Sequence, residues 1–245
     1  MTSVILHYYS VSLGMNSTLS VLLPDKPSDE PYPVLYLLPD MGEDHTRWIR
    51  ETSIERVAEK YQMAVVMPPA QQGCFTDMAM GYDFYTALTR EIPEVVHTYF
   101  PSFSTQPETA FIVGYGMGGY GAFKAALKES RVYGAAVSIS GPLDIVRFVE
   151  NSGDRQQQME RVFGPKENLT GSSNDLVCLY HQHNGPLPAL SIYYEANGYW
   201  AENNRSFLDQ IGSGILVYPY DGAGWEGCSA QLDAVCGRLI GQGGK

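Results

Sequence analysis

Positive charge is in short supply in this sequence of 245 residues: 16 Lys and Arg stand against 27 Asp and Glu, a net charge of −11. That balance excludes the basic surface that nucleic acid and anionic membranes select, and neither is expected as a partner. No apolar run approaches the ~18 residues that cross a bilayer. The start, Met1-Thr-Ser-Val-Ile-Leu-His7, has no basic segment followed by a long apolar stretch, so no signal peptide is expected. A cytoplasmic location then follows by default. Asn16-Ser-Thr18 and Asn168-Leu-Thr170 match glycosylation acceptors and are read as chance matches in that setting. Cysteine is sparse, at positions 74, 178, 228 and 236, with no metal-ligand spacing. Reduced structural thiols, no metal and no cofactor are the expectation. Histidine is scarcer than its count of 5 suggests, because none follows His183.

What is present reads as one α/β domain over residues 1–245. Hydrophobic content of 44% supports a sizeable core. Ser3–Leu13 and Ser17–Leu23 are rich in β-formers around Gly14-Met-Asn16, the pattern of an antiparallel hairpin. Val34–Leu38 and Ala64–Val66 with Met67 are continuous apolar runs of the kind buried in parallel sheets. Helical spacing covers Trp48–Lys60 and about Asp83–Tyr99, where Pro93 predicts a kink or a break. Tyr133–Ile139, Ala189–Glu195 and Ile215–Tyr218 read as further strands, Ala201–Ile211 and Trp225–Ile240 as helices. Alternating strands and helices predict a mostly parallel central sheet, opened by the hairpin and covered by helices on both faces. Residues 141–188, rich in Gly, Asn, Gln and Ser with one helix near Gln156–Phe163, read as a lid-like insertion.

The chain is organised around Phe111-Ile-Val-Gly114-Tyr-Gly116-Met-Gly118-Gly-Tyr-Gly-Ala-Phe123. An apolar strand, a tight glycine turn and a helix form the frame of a nucleophile elbow, whose pattern is Gly-x-Ser-x-Gly. The frame here is Gly114-Tyr115-Gly116-Met117-Gly118, with glycine in the place of serine.

These residues resemble the small α/β-hydrolase esterases of the tributyrin esterase and S-formylglutathione hydrolase (esterase D) type. The similarity is carried by Tyr36-Leu-Leu-Pro-Asp-Met41 with His45 and Trp48, and by Thr76-Asp-Met78 with Gly81-Tyr-Asp-Phe-Tyr-Thr-Ala-Leu88. It continues through Met117-Gly-Gly-Tyr-Gly-Ala-Phe-Lys124, Glu202-Asn-Asn-Arg205, and Trp225 with Gln231-Leu232. The resemblance implies an α/β-hydrolase fold and a carboxylic ester hydrolase for short acyl chains, working through a Ser-Asp-His triad and a backbone oxyanion hole. The triad positions it implies are Gly116, Gly198 and Ala223, so no catalytic side chain is intact. In this fold the histidine comes last in the chain, and no histidine follows His183 to take the role. Three coordinated replacements read as natural divergence.

The resemblance also implies oxyanion donors at the backbone of Met41 and Met117, with Pro39-Asp40 standing where the family carries His-Gly. Asp40, Glu195 and Asp221 all stand where the family motif has glycine, near the C-terminal ends of strands. Together with Tyr115 and Trp225 they form the expected pocket rim. The three carboxylates have two readings, a pocket turned toward an amine or a metal ion, or solvated loop acids. Cys228 is weighed as a thiol nucleophile against a half-buried structural thiol, and His181-Gln-His183 as a metal pair against a solvated loop. His45 reads as a loop anchor. Asp77, Tyr82, Asp83 and Tyr85 read as structural hydrogen bonding or as pocket wall, and Tyr120, Tyr199 and Trp200 as core and pocket lining. The functional expectation is a non-hydrolytic homologue keeping a small-ligand pocket or a subunit role in a homo-oligomer. The alternative is a short-chain ester hydrolase that works by a non-serine route.

Overall fold

The computed structural model describes residues 1–243. Eight strands form one sheet in the order β1-β2-β4-β3-β5-β6-β7-β8. The strands are β1 (Thr2–Ser10), β2 (Met15–Leu23), β3 (Val34–Leu38), β4 (Ala64–Met67), β5 (Ala110–Tyr115), β6 (Ala135–Ile139), β7 (Ala189–Glu195) and β8 (Leu216–Tyr220). β1 and β2 form the antiparallel hairpin, and β2 joins β4 antiparallel. Every other pairing is parallel. β3, β4 and β6 are buried along their whole length, which is why their sequences are continuous apolar runs. β1, at an edge, instead turns Val4, Leu6 and Tyr8 inward and leaves Ile5 and Tyr9 exposed.

The pleat sends alternate residues of each central strand to opposite cores. Tyr36, Leu38, Ile112 and Ala136 face one core, and Leu35, Leu37, Phe111 and Val113 the other. The second core is closed by α1 (Arg47–Glu51), α2 (Ile54–Tyr61) and α10 (Gly224–Gly243). The first is closed by α3 (Phe84–Thr86), α4 (Ile92–Tyr99), α5 (Met117–Lys128), α6 (Ile145–Glu150), α7 (Gln156–Phe163), α8 (Leu176–Gln182) and α9 (Ala201–Ile211).

Three elements depart from the sequence expectation. The helix expected over Trp48–Lys60 is two helices, because Thr52 turns extended and its hydroxyl donates back to the Trp48 carbonyl at 2.5 Å while accepting from Ile54 N–H at 3.2 Å. Short hydroxyl side chains compete with the helix ladder in this way. The interruption of the helix expected at Pro93 lies just ahead of it. A π-turn at Ala87–Glu91 widens the backbone just before it, and Pro93 falls in the first turn of α4, where a missing N–H costs least. The insertion holds three helices rather than one, and Ile145, Phe148, Met159, Val162 and Leu176 pack into the first core.

Candidate active site

Two strand ends build the site. β3 delivers Asp40, and β5 delivers Gly116, which sits at φ +55° and ψ −127° just before α5. That backbone conformation is costly for a residue with a side chain and free for glycine. The carboxylate of Asp40 turns into the turn it faces: its Oδ1 accepts from Met41 N–H at 2.8 Å and from Met117 N–H at 2.7 Å. Two donors from separate segments thus converge on one oxygen, and that oxygen belongs to the protein itself. A Cβ on Gly116 would lie 2.5 Å from Oδ1 and 2.7 Å from Oδ2 of Asp40, so a side chain and this carboxylate exclude each other.

Glu43 fixes the loop from behind. Its Oε2 accepts from the Asp40 N–H at 2.9 Å, and its Oε1 accepts from Trp225 Nε1 at 3.0 Å and pairs with Arg47 Nε at 2.8 Å. Burial pushes both carboxyl groups up. The Met117 and Met41 N–H groups and the positive charge of Arg155 pull Asp40 part of the way back. Trp225 is held between Tyr115, 4.5 Å away, and the edge-on ring of Trp48 at 4.8 Å.

The other half of the site is organised by Glu195, at the end of β7. Its Oε1 accepts from Gly224 N–H at 2.8 Å, the first residue of α10. A carboxylate there meets the positive end of the helix. Its N–H donates to Ser140 Oγ at 3.2 Å, and Ser140 is itself bonded to Tyr220 Oη at 3.1 Å. A Cβ on Gly198 would collide with the Glu195 side chain. Gly116 and Gly198 are therefore each backed by a carboxylate that needs the space a side chain would take.

The remaining candidates have these surroundings. Asp221 is exposed beyond β8. Cys228 is buried, and burial with the nearby Glu195 and Glu43 drives its thiol well above the usual range, the opposite of an activated nucleophile. His45 bonds Ser20 Oγ through Nδ1 at 2.7 Å and ties the loop to β2. His181 reaches the Gln210 carbonyl at 3.0 Å and His183 the Pro186 carbonyl at 3.3 Å. Among the described residues no three His, Cys, Asp or Glu side chains come together as metal ligands. Asp77 accepts from Thr86 N–H and from its hydroxyl, both at 2.8 Å, and so holds the start of the helix that follows Asp83. Tyr82 is exposed, and Tyr85 donates to Glu129 at 3.3 Å. Tyr120 is buried in the core and donates to the Asn174 carbonyl at 2.8 Å, while Tyr199 is exposed against Trp200. Sequence reasoning did not single out Glu43, Ser140 or Arg155. Only Glu43 carried a signal, as an acid three residues after Asp40 in the same short loop.

The parallel sheet, the strand-turn-helix at Gly116 and the donors at two neighbouring strand ends define an α/β-hydrolase fold. The "Putative esterase" family model matches residues 10–210, and the chain belongs to that family. It is similar to an acetyl esterase of Caldicellulosiruptor saccharolyticus, 27% identical over 240 residues, covering 89% of this chain and 90% of the relative. Among solved structures it is similar to the substrate-bound fluorophosphonate-binding serine hydrolase F of Staphylococcus aureus (TM-score 0.88, 25% identity, 98% of each chain). It is also similar to the S-formylglutathione hydrolase of Staphylococcus aureus (TM-score 0.84, 25% identity, 98% of each chain). No helix among the described residues is long and apolar enough to cross a membrane.

Proposed function

We propose that this chain is an esterase-family protein that does not hydrolyse esters by the serine mechanism, and that it serves as a ligand-binding or partner protein. The observation that carries the reading is Asp40 Oδ1 on the Met41 and Met117 N–H groups. Ester hydrolysis on this fold needs those donors free for the oxyanion that develops on the carbonyl. Here a carboxylate occupies them and would repel a second negative oxygen. The elbow offers glycine at position 116, and no histidine follows His183, so none stands in the late position from which this fold supplies its base.

A second reading keeps the hydrolytic activity named for the relatives, on short-chain esters, through a non-serine route. It is favoured by the half-buried Asp40 carboxyl, raised by burial and placed at the elbow. The two readings separate in a hydrolysis assay with p-nitrophenyl acetate and tributyrin. The first expects no saturable turnover. Turnover at ordinary enzymatic rates, about 1 s⁻¹ or more, that is lost in Asp40→Asn establishes the second.

A further inference from the structure

Beside the acidic site lies a cleft of the opposite character. It runs between α6 and the start of α9, has a volume of about 260 Å³, and is walled by Phe148, Tyr199 and Trp200. Phe148 and Trp200 meet at 5.6 Å, and Trp200 takes the Tyr199 ring edge-on at 4.5 Å. Tyr199 is 79% exposed, a large ring left open to solvent at the mouth of the cleft.

Two guanidinium groups line the same cleft. Arg147 is committed to Glu202 at 2.6 Å. Arg155 stands 5.9 Å over the Phe148 ring and makes no side-chain hydrogen bond or ion pair among the described residues. Among the lining side chains Arg147 and Glu202 cancel and Arg155 leaves one net positive charge, whose field also reaches Asp40, in a chain whose net charge is −11. A guanidinium held against a ring keeps its planar donors free for a carboxylate or a phosphate.

We propose that this cleft binds a small planar aromatic anion, its ring against Tyr199 and Trp200 and its acidic group on Arg155. The chemistry selects that class. A neutral aromatic ligand forfeits the guanidinium, an aliphatic anion forfeits the stacking surface, and a cation is repelled. The inference does not rest on the loss of hydrolysis, because a free aromatic acid binds here whether or not the elbow turns over esters.

The test titrates the whole chain with 2-naphthoate, followed by calorimetry, beside 2-naphthamide, which has the same ring and no charge. Saturable binding of 2-naphthoate is expected. About tenfold weaker binding is expected for 2-naphthamide and for Arg155→Gln, the worth of one charge-assisted contact. Tyr199→Ala is expected to weaken binding several-fold. Arg155 and Tyr199 are both exposed, so neither change disturbs the core. Arg56→Gln, on α2 across the sheet, is the charge-matched control and is expected to bind as the unmodified protein does. The proposal is overturned by equal affinities for naphthoate and naphthamide, by no saturable binding up to millimolar concentration, or by equal losses in Arg56→Gln and Arg155→Gln.

Discussion

A Cβ on Gly116 would stand 2.5 Å from Oδ1 of Asp40, so the missing side chain at the elbow and the carboxylate of the facing loop are two sides of one substitution. Gly198 and Glu195 are related in the same way. Restoring Gly116→Ser, Gly198→Asp and Ala223→His alone then leaves the new side chains in collision with both carboxylates. Hydrolysis is expected to return only when Asp40→Gly and Glu195→Gly are added. The expected gain over the triple variant is at least about 10²-fold, the worth of one recovered oxyanion donor. Release of p-nitrophenol from p-nitrophenyl acetate measures it, and a triple variant as active as the quintuple one refutes the pairing.

Asp40 also makes a pH prediction. Burial raises its carboxyl in the folded protein, so the folded state binds a proton more readily than the unfolded chain does. The stability this contributes is fully present below the unfolded carboxyl's range near pH 4 and is lost as pH rises through the raised value. Asp40→Asn keeps an oxygen for both N–H groups and removes the titration. Thermal melts from pH 3.5 to 7 are expected to show the variant gaining on the parent as pH rises. Parallel curves would contradict the burial argument.

Glu195 holds the first N–H of α10, whose far side packs Cys228, Leu232 and Val235 into the second core. Glu195→Gln keeps an acceptor and loses the charge at the helix N-terminus. A loss of about 0.5–1 kcal/mol is expected, read as a fall of about 2 °C in Tm for a chain of this size. The loss should shrink in high salt, because the charge–dipole part is screened. A salt-independent loss would point to packing instead.

Much of this was legible in the chain, and the part that was not has a common cause. β3, β4, β7, α7 and α9 have the ends that apolar runs and helical spacing place there. α6 and α8 are 6 and 7 residues long, too short for periodicity to register. Their signals are single acids: Asp144 accepts from Arg147 N–H, and Asp175 from Val177 and Cys178 N–H. At the site, the lack of a serine and of a late histidine is a matter of composition and order, which a sequence displays directly. The direction of the Asp40 side chain is not, since it depends on a turn 77 residues away. The hydrogen bond from Trp225 to Glu43 spans 182 residues and leaves no local trace.

The cysteines give a chemical check on the burial pattern. Cys74, Cys228 and Cys236 are buried with thiols driven upward by desolvation, Cys74 and Cys236 to about 12. Cys178 alone is partly exposed. A native-state titration with a disulfide reagent is expected to modify one thiol quickly and the other three only on unfolding. Cys178→Ser should remove the fast phase. Fast reaction at Cys228 would reopen its reading as a nucleophile.

Among the described residues Lys124 is the one buried Lys or Arg side chain, 2% exposed, and it has no carboxylate partner there. Its Nζ donates to Thr76 Oγ1 and to Asn174 Oδ1, both at 2.6 Å, and so ties the elbow helix to the loop before α3 and to the insertion. Burial, with Lys128 nearby, brings its ammonium down to about 7. Between that value and the ordinary lysine range the unfolded chain binds more protons than the folded protein, so stability rises with pH across that window. The rise is at most about 1.4 kcal/mol per pH unit. Lys124→Met removes the titration and leaves two polar groups unpartnered, a pH-independent loss of about 1–3 kcal/mol. Urea unfolding at pH 7, 8 and 9 should therefore show the parent pulling away from the variant as pH rises. A constant gap between them would mean that the amine stays protonated in the folded core.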